Sequence, residues 1–86
     1  MKESKIQKKL IDELESKGYY VIKLSVTNKN GIPDIIALPK GCSAEFYEVK
    51  TTTGKVSALQ KFRAKEITNH GIKIKLYDGE EKDIEF

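Results

Sequence analysis

Cysteine and tryptophan are almost missing from this chain of 86 residues, which has one cysteine (Cys42) and no tryptophan. One cysteine can neither staple a fold through an internal disulfide nor build a zinc site. The expected setting is therefore intracellular and disulfide-free. Long apolar runs are also missing. None approaches the ~20 residues of a membrane span, and Met1 to Lys5 leads straight into an amphipathic pattern with no secretory signal. Neither a membrane protein nor an exported one is expected. What is present, 38% hydrophobic and 34% charged residues, excludes wholesale disorder. The length fits one small domain, 1–86, whose modest core dimerisation would reinforce.

The net charge of +3 is unevenly placed. Asp78, Glu80, Glu81, Asp83 and Glu85 crowd an acidic tail over residues 78–86, opposed only by Lys82. Setting that tail aside takes the chain from 16 basic and 13 acidic residues to 15 and 8, a net +7. A basic body suits a polyanionic partner such as nucleic acid. A plain lysine-rich solvated surface accounts for the same charge.

Hydrophobic periodicity organises the rest. Ile6, Leu10, Ile11 and Leu14 recur at helical spacing, predicting a helix over 4–17 that Gly18 stops. Residues 19–26 read as a strand with Tyr20, Ile22, Leu24 and Val26 on one side. A loop over 27–31 follows. A second strand runs over 33–38, opened by Pro33 where a missing N–H is tolerated. Pro39-Lys40-Gly41 is a turn, and a third strand covers 44–52. Residues 57–70 form a second helix closed by Gly71, and 72–77 a last strand. The tail is expected to fray or to add a short edge segment around Ile84 and Phe86. The order is α-β-β-β-α-β. The short turn pairs strands two and three as an antiparallel hairpin, and helices on the faces of a mixed sheet make an α/β fold.

Alternation along strands places the polar exceptions. Asp34 shares a face with Ile36 and Leu38, while Glu48 and Lys50 share one with Phe46. Two carboxylates and a lysine thus lie on inward-leaning positions of neighbouring antiparallel strands, where cross-strand contact is possible. A buried carboxylate pair repels itself unless a cation intervenes. Mg²⁺ suits such a pair, because it takes one or two carboxylates, keeps waters and completes its shell with phosphate. Lys50 beside it would orient or help deprotonate an attacking water, or stabilise the transition state. The spacing equally allows a Glu48–Lys50 surface ion pair with Asp34 as a turn residue.

Four sequence blocks weigh on that choice: Glu3-Ser4-Lys5-Ile6-Gln7, Gly31-Ile32-Pro33-Asp34, Glu48-Val49-Lys50, and Gly54-Lys55-Val56-Ser57-Ala58-Leu59-Gln60. The second and third of them, together with the α-β-β-β-α-β order, resemble the PD-(D/E)xK nuclease signature and core, and all four in this order and at these spacings carry the closer resemblance. Within that superfamily the chain is similar, almost end to end, to the VRR-NUC family of virus-type replication and repair nucleases. The resemblance implies a restriction-endonuclease-like core. It implies Asp34 and Glu48 as ligands of Mg²⁺ (or Mn²⁺ in its place), with the backbone carbonyl of Val49 as a further ligand, and Lys50 as the catalytic lysine. It also implies cleavage of branched DNA, such as four-way (Holliday) junctions or flaps, by a homodimer. The setting would be the cytoplasm of a bacterial cell or a phage-infected host.

Other residues are read against that expectation. Glu3 falls near the centre of the apolar face of the first helix, unexpected for a solvated position. It is expected to turn toward the metal as a catalytic residue and ligand; the alternative is a favourable charge at a helix N-terminus. Gln7 lies near the same face and is placed in support of the site. Glu13, toward its edge, is read as solvated. Ser57 and Gln60 read as a capping box, and the family pattern also sends Gln60 to the active site. Lys55, Lys61, Arg63, Lys5 and Lys9 are candidate phosphate contacts, each with a plain solvated role as the alternative. Arg63 lies among Leu59, Phe62 and Ile67, so its head should snorkel or find a partner. His70 is structural, the tyrosines pack, and Cys42 has no role. Three functions follow: a metal-dependent DNA endonuclease, a non-catalytic DNA-binding module of the same fold, or a nuclease module active only with a partner protein.

Overall fold

Glycines end both helices in the same way. In the computed structural model, which describes residues 2–84, helix α1 spans Glu3–Ser16. It closes with the Gly18 amide on the Glu15 carbonyl and the Tyr19 amide on the Leu14 carbonyl. Helix α2 spans Ala58–Asn69 and repeats the pattern, Gly71 to Thr68 and Ile72 to Ile67. Both are Schellman endings, which need a residue at positive φ; Gly18 has φ 88° and Gly71 φ 84°. The start of α2 carries the expected reciprocal cap between Ser57 and Gln60.

Between and after the helices lie β1 (Tyr20–Lys23), β2 (Ile35–Leu38), β3 (Glu45–Val49), β4 (Lys73–Tyr77) and β5 (Glu81–Lys82). They form one sheet in the order β1-β2-β3-β4-β5. All neighbours are antiparallel except β3 and β4, which are parallel and joined through α2. The α-β-β-β-α-β order and the mixed sheet flanked by helices are as expected, with β5 as an added edge strand. Among the described residues no helix is long and apolar enough to cross a membrane.

Each sheet face has its own core. Ile6, Leu10 and Leu14 of α1 pack against Ile35, Ala37, Tyr47, Val49 and Tyr77. On the opposite face Ala64 of α2 meets Ile74 and Ile84, with Phe46 and Leu76 against them. This second core is small, and the face stays open toward β1. Tyr20 is 69% exposed and Phe62 57%.

Two strand boundaries differ from expectation. The first strand pairs only over Tyr20–Lys23, because its partner β2 begins at Ile35. One further bond, from the Leu24 amide to the Asp34 carbonyl (2.8 Å), closes the ladder. The side holding Tyr20, Ile22 and Val26 faces outward, and the core instead receives Tyr19 and Val21. The acidic tail turns through Gly79 at φ 118° into β5, and Ile84 is buried. Glu85 and Phe86 lie outside the described residues.

Candidate active site

The hairpin register brings the two acids together. Ile35 pairs with Tyr47 and Ala37 with Glu45, so the hairpin is centred on Gly41 and Asp34 stands opposite Glu48. Their side chains share the α2 face with Ile36 and Phe46. Asp34 Oδ2 also accepts a 2.9 Å hydrogen bond from the Val49 amide. On the other side of β3 the Lys50 amide donates to the Tyr77 carbonyl at 3.0 Å. The Glu48-Val49-Lys50 segment is therefore held from both neighbouring strands, which fixes where its side chains point.

Glu48 is 2% exposed. Burial pushes its carboxyl up to about 9; a hydrogen bond and charge from Asp34 add to the effect, Lys50 opposes it, and Glu3 contributes weakly. A group this buried beside a second carboxylate holds a proton or a cation, since two bare charges repel in a low dielectric. Among the described residues no Glu48–Lys50 ion pair forms. The surface ion pair allowed by spacing is thus not what the chain builds: Glu48 is in the interior, and its neighbour is Asp34.

The donor set fits a hard divalent ion. Two carboxylates with open water and phosphate positions are what Mg²⁺ takes. Among the described residues no group of three or more His, Cys, Asp or Glu side chains gathers to hold a metal. Glu3, half-buried at the start of α1, acts on Glu48 by its charge but does not close such a group with Asp34 and Glu48. One turn further along, Gln7 is 9% exposed, and its Oε1 has no hydrogen-bond partner.

Gln60 is committed to its cap. Its Oε1 accepts from the Ser57 amide at 2.9 Å, and its own amide donates to Ser57 Oγ at 3.1 Å, which leaves the side-chain nitrogen for any other contact. Arg63 is committed as well. Its Nε donates to the Asn30 carbonyl (2.9 Å), its Nη1 pairs with Glu66 (2.9 Å), and its head lies over the Phe62 ring. It ties the loop before Asp34 onto α2. Gly31 makes that approach possible: at φ 81° it sits so close to Leu59 that a Cβ would come within 2.7 Å of Leu59 Cγ.

Lys5, Lys9, Lys55 and Lys61 are all exposed. Lys55 and Lys61 border a hollow with Leu76, the register partner of Glu48 on β4. Lys9 borders another with Ile6, Thr51 and Thr52, just beyond Lys50. Each hollow also carries an acid of the tail, Asp78 in the one and Asp83 in the other. His70 takes a structural place, its Nδ1 2.8 Å from the Glu66 carbonyl, and Cys42 is exposed. Tyr77 is buried and donates to Glu13 Oε2 at 3.2 Å, so Glu13 has a partner that its place at the edge of the helix face did not suggest. The Asp34–Val49 bond was also missed, although a hairpin centred on Gly41 could have supplied the register.

No protein-family model and no curated protein matches the chain. A solved structure described as a VRR_NUC domain does, at 29% identity over 86% of this chain and 81% of that one, with a TM-score of 0.75. The likeness agrees with a PD-(D/E)xK-type fold and supports a general nuclease or DNA-binding role.

Proposed function

We propose that this protein is a divalent-metal-dependent DNA endonuclease that hydrolyses phosphodiester bonds, with Mg²⁺ as its ion and Mn²⁺ as a substitute. The observation that carries the reading is the buried Glu48 opposed to Asp34 across β2 and β3. A binding module gains nothing from two facing carboxylates on a surface meant for phosphates.

Asp34 and Glu48 would hold the ion, with the Val49 carbonyl beside them. Bound there, the ion supplies Lewis-acid polarisation of the phosphate and a more acidic water. The Val49 amide keeps the Asp34 carboxylate oriented. Lys50 follows Glu48 on the same side of β3, where its ammonium orients the attacking water and offsets charge on the phosphoryl oxygens. Glu3 adds negative potential at the site, and the free nitrogen of Gln60 is available to phosphate. Lys5, Lys9, Lys55 and Lys61 position the backbone without reading bases; Arg63 contributes by holding the loop that carries Asp34.

The substrate in this reading is branched DNA, a four-way junction or flap, cut by a homodimer in the cytoplasm. Small size supports dimerisation, as do the exposed Tyr20, Ile22, Leu59 and Phe62. A nuclease module completed by a partner protein is the second reading, favoured by one observation: Glu3 does not join the acid pair in a three-carboxylate group.

Cleavage of labelled duplex, single strand, splayed arm, flap and four-way junction in Mg²⁺, Mn²⁺ and EDTA tests the proposal. Divalent-dependent cutting, greatest on a branched substrate and lost in Lys50→Ala, is expected. Tight binding with no cutting of any substrate would overturn it in favour of the module readings.

A further inference from the structure

The turn after β3 carries more hydrogen-bond donors than the chain uses. Lys50 is followed by Thr51, Thr52 and Thr53, and the Gly54 amide donates to the Thr51 carbonyl at 3.0 Å, which closes a β-turn. Among the described residues the amides of Thr52 and Thr53 meet no backbone carbonyl. None of the threonine hydroxyls has a hydrogen-bond partner there either.

These threonines line a hollow of about 470 Å³ together with Ile6 and Lys9 of α1 and Asp78 of the turn between β4 and β5. Lys9 has no ion pair among the described residues. Asp78 is already engaged: Lys82 Nζ donates to its Oδ2 at 2.6 Å, and the Glu80 amide to its Oδ1 at 3.4 Å. The hollow thus offers an ammonium, hydroxyls and turn amides, while its carboxylate is occupied. An ammonium only donates, a hydroxyl can donate, and successive turn amides form concavities for anions. Water would satisfy the hydroxyls alone; the unpaired cation facing them selects an oxyanion.

Position narrows the oxyanion to DNA phosphate. Thr51 lies three residues beyond Glu48, at most about 11 Å along the chain, or about three nucleotides at the rise of one strand of a duplex. On α1, Ile6 is close to one turn past Glu3, whose charge reaches Glu48. The hollow opens on the α1 side and the acids on the α2 side, so a DNA strand serving both crosses the end of β3, whose last residue is Val49.

We infer that the Thr51–Thr53 turn and Lys9 form a subsite for a DNA phosphate other than the one cleaved, within about three nucleotides of it. The inference rests on the nuclease reading and deepens it. The subsite sets the register of the strand against the metal site and reads no base.

Anisotropy of a labelled four-way junction in EDTA measures binding apart from cleavage. One variant carries Thr51→Val, Thr52→Val and Thr53→Val together, which keeps side-chain shape and removes the hydroxyls; another is Lys9→Ala. Each is checked for folding by circular dichroism. The junctions carry single methylphosphonate linkages, uncharged in place of a phosphate, one at a time on either side of the branch. The triple variant should bind roughly tenfold more weakly with an unchanged salt slope, because hydroxyls displace no counterions. Lys9→Ala should lower the slope by about 1. One methylphosphonate should weaken binding by the wild type and leave the triple variant nearly unaffected. Thr52→Val alone, at an exposed position, should show the same pattern at smaller size and serves if the triple variant does not fold. Wild-type affinity in a folded variant would overturn the inference, as would a full methylphosphonate penalty retained at every linkage. Cleavage in Mg²⁺ is read separately: this coupling without cutting would support the subsite and overturn the nuclease reading. No DNA binding by the wild type would overturn both.

Discussion

Glu48 concentrates the electrostatic strain of the molecule. Its carboxyl titrates near 9 in the fold against an ordinary value of 4.5, through burial first and Asp34 second. Because the folded value is raised, the contribution to stability is fully present below about pH 4.5 and is lost as pH rises toward 9. Without metal, the protein should therefore weaken on going from pH 5 to pH 9, by an amount on the order of a few kcal/mol. Glu48→Gln preserves shape and can donate to Asp34, so it should flatten that slope and raise the metal-free melting temperature at pH 8. Chemical denaturation across this pH range in EDTA measures the effect. A wild-type slope that survives in Glu48→Gln would mean the strain lies elsewhere. This much of the site was legible in the sequence, because Asp34 interrupts an apolar strand and Glu48 shares a face with Phe46. Alternation gave Glu48 an inward lean but could not choose between a buried acid and a surface ion pair with Lys50, since enclosure depends on α2 and β4, distant in the chain.

At the scale of elements, the parts with local causes were readable and the parts with partners were not. Gly18 and Gly71 end the helices where their backbone freedom is needed, and the Ser57–Gln60 cap is complete in a four-residue stretch. Ser57→Ala should cost about 1 kcal/mol, a fall of roughly 5 °C in melting temperature for a domain of this size. Calorimetry checks it, and a loss of less than a few tenths of a kcal/mol would mean that the cap adds little to α2. Strand β1 is the counterexample. Its sequence keeps strand character to residue 26, yet pairing stops opposite Ile35, where β2 begins, and only the Leu24–Asp34 bond continues it. Which side of β1 would be covered was equally hidden, because alternation identifies two faces and not the one that a helix will occupy. The tail adds the edge segment that was one of its two expected outcomes, but at Glu81–Lys82 and not around Ile84 and Phe86, because β4 offers its edge there.

For the whole molecule, the distribution of charge matters more than its sum. Lysines of α1 and of the start of α2 border two hollows that the folded-back tail lines as well, through Asp78 in the one and Lys82 and Asp83 in the other. DNA binding should accordingly weaken steeply with salt, as each neutralised phosphate releases counterions. Replacing Lys55 and Lys61 together by alanine should reduce the slope of log affinity against log salt by about 2. Fluorescence anisotropy from 50 to 200 mM salt measures it, and a slope unchanged in the double variant would remove these lysines from the interface.

The central claim is that Asp34 and Glu48 hold the ion that drives phosphodiester hydrolysis. Single-turnover cleavage of a labelled four-way junction tests it most directly, using wild type, Asp34→Asn and Glu48→Gln, each verified as folded by circular dichroism, in Mg²⁺ and in EDTA. The account predicts cutting by the wild type in Mg²⁺, none in EDTA, and a loss of at least about a hundredfold in either variant, from several kcal/mol of lost transition-state stabilisation. Wild-type rates from a folded Asp34→Asn or Glu48→Gln protein, or cutting that persists in EDTA, would contradict it.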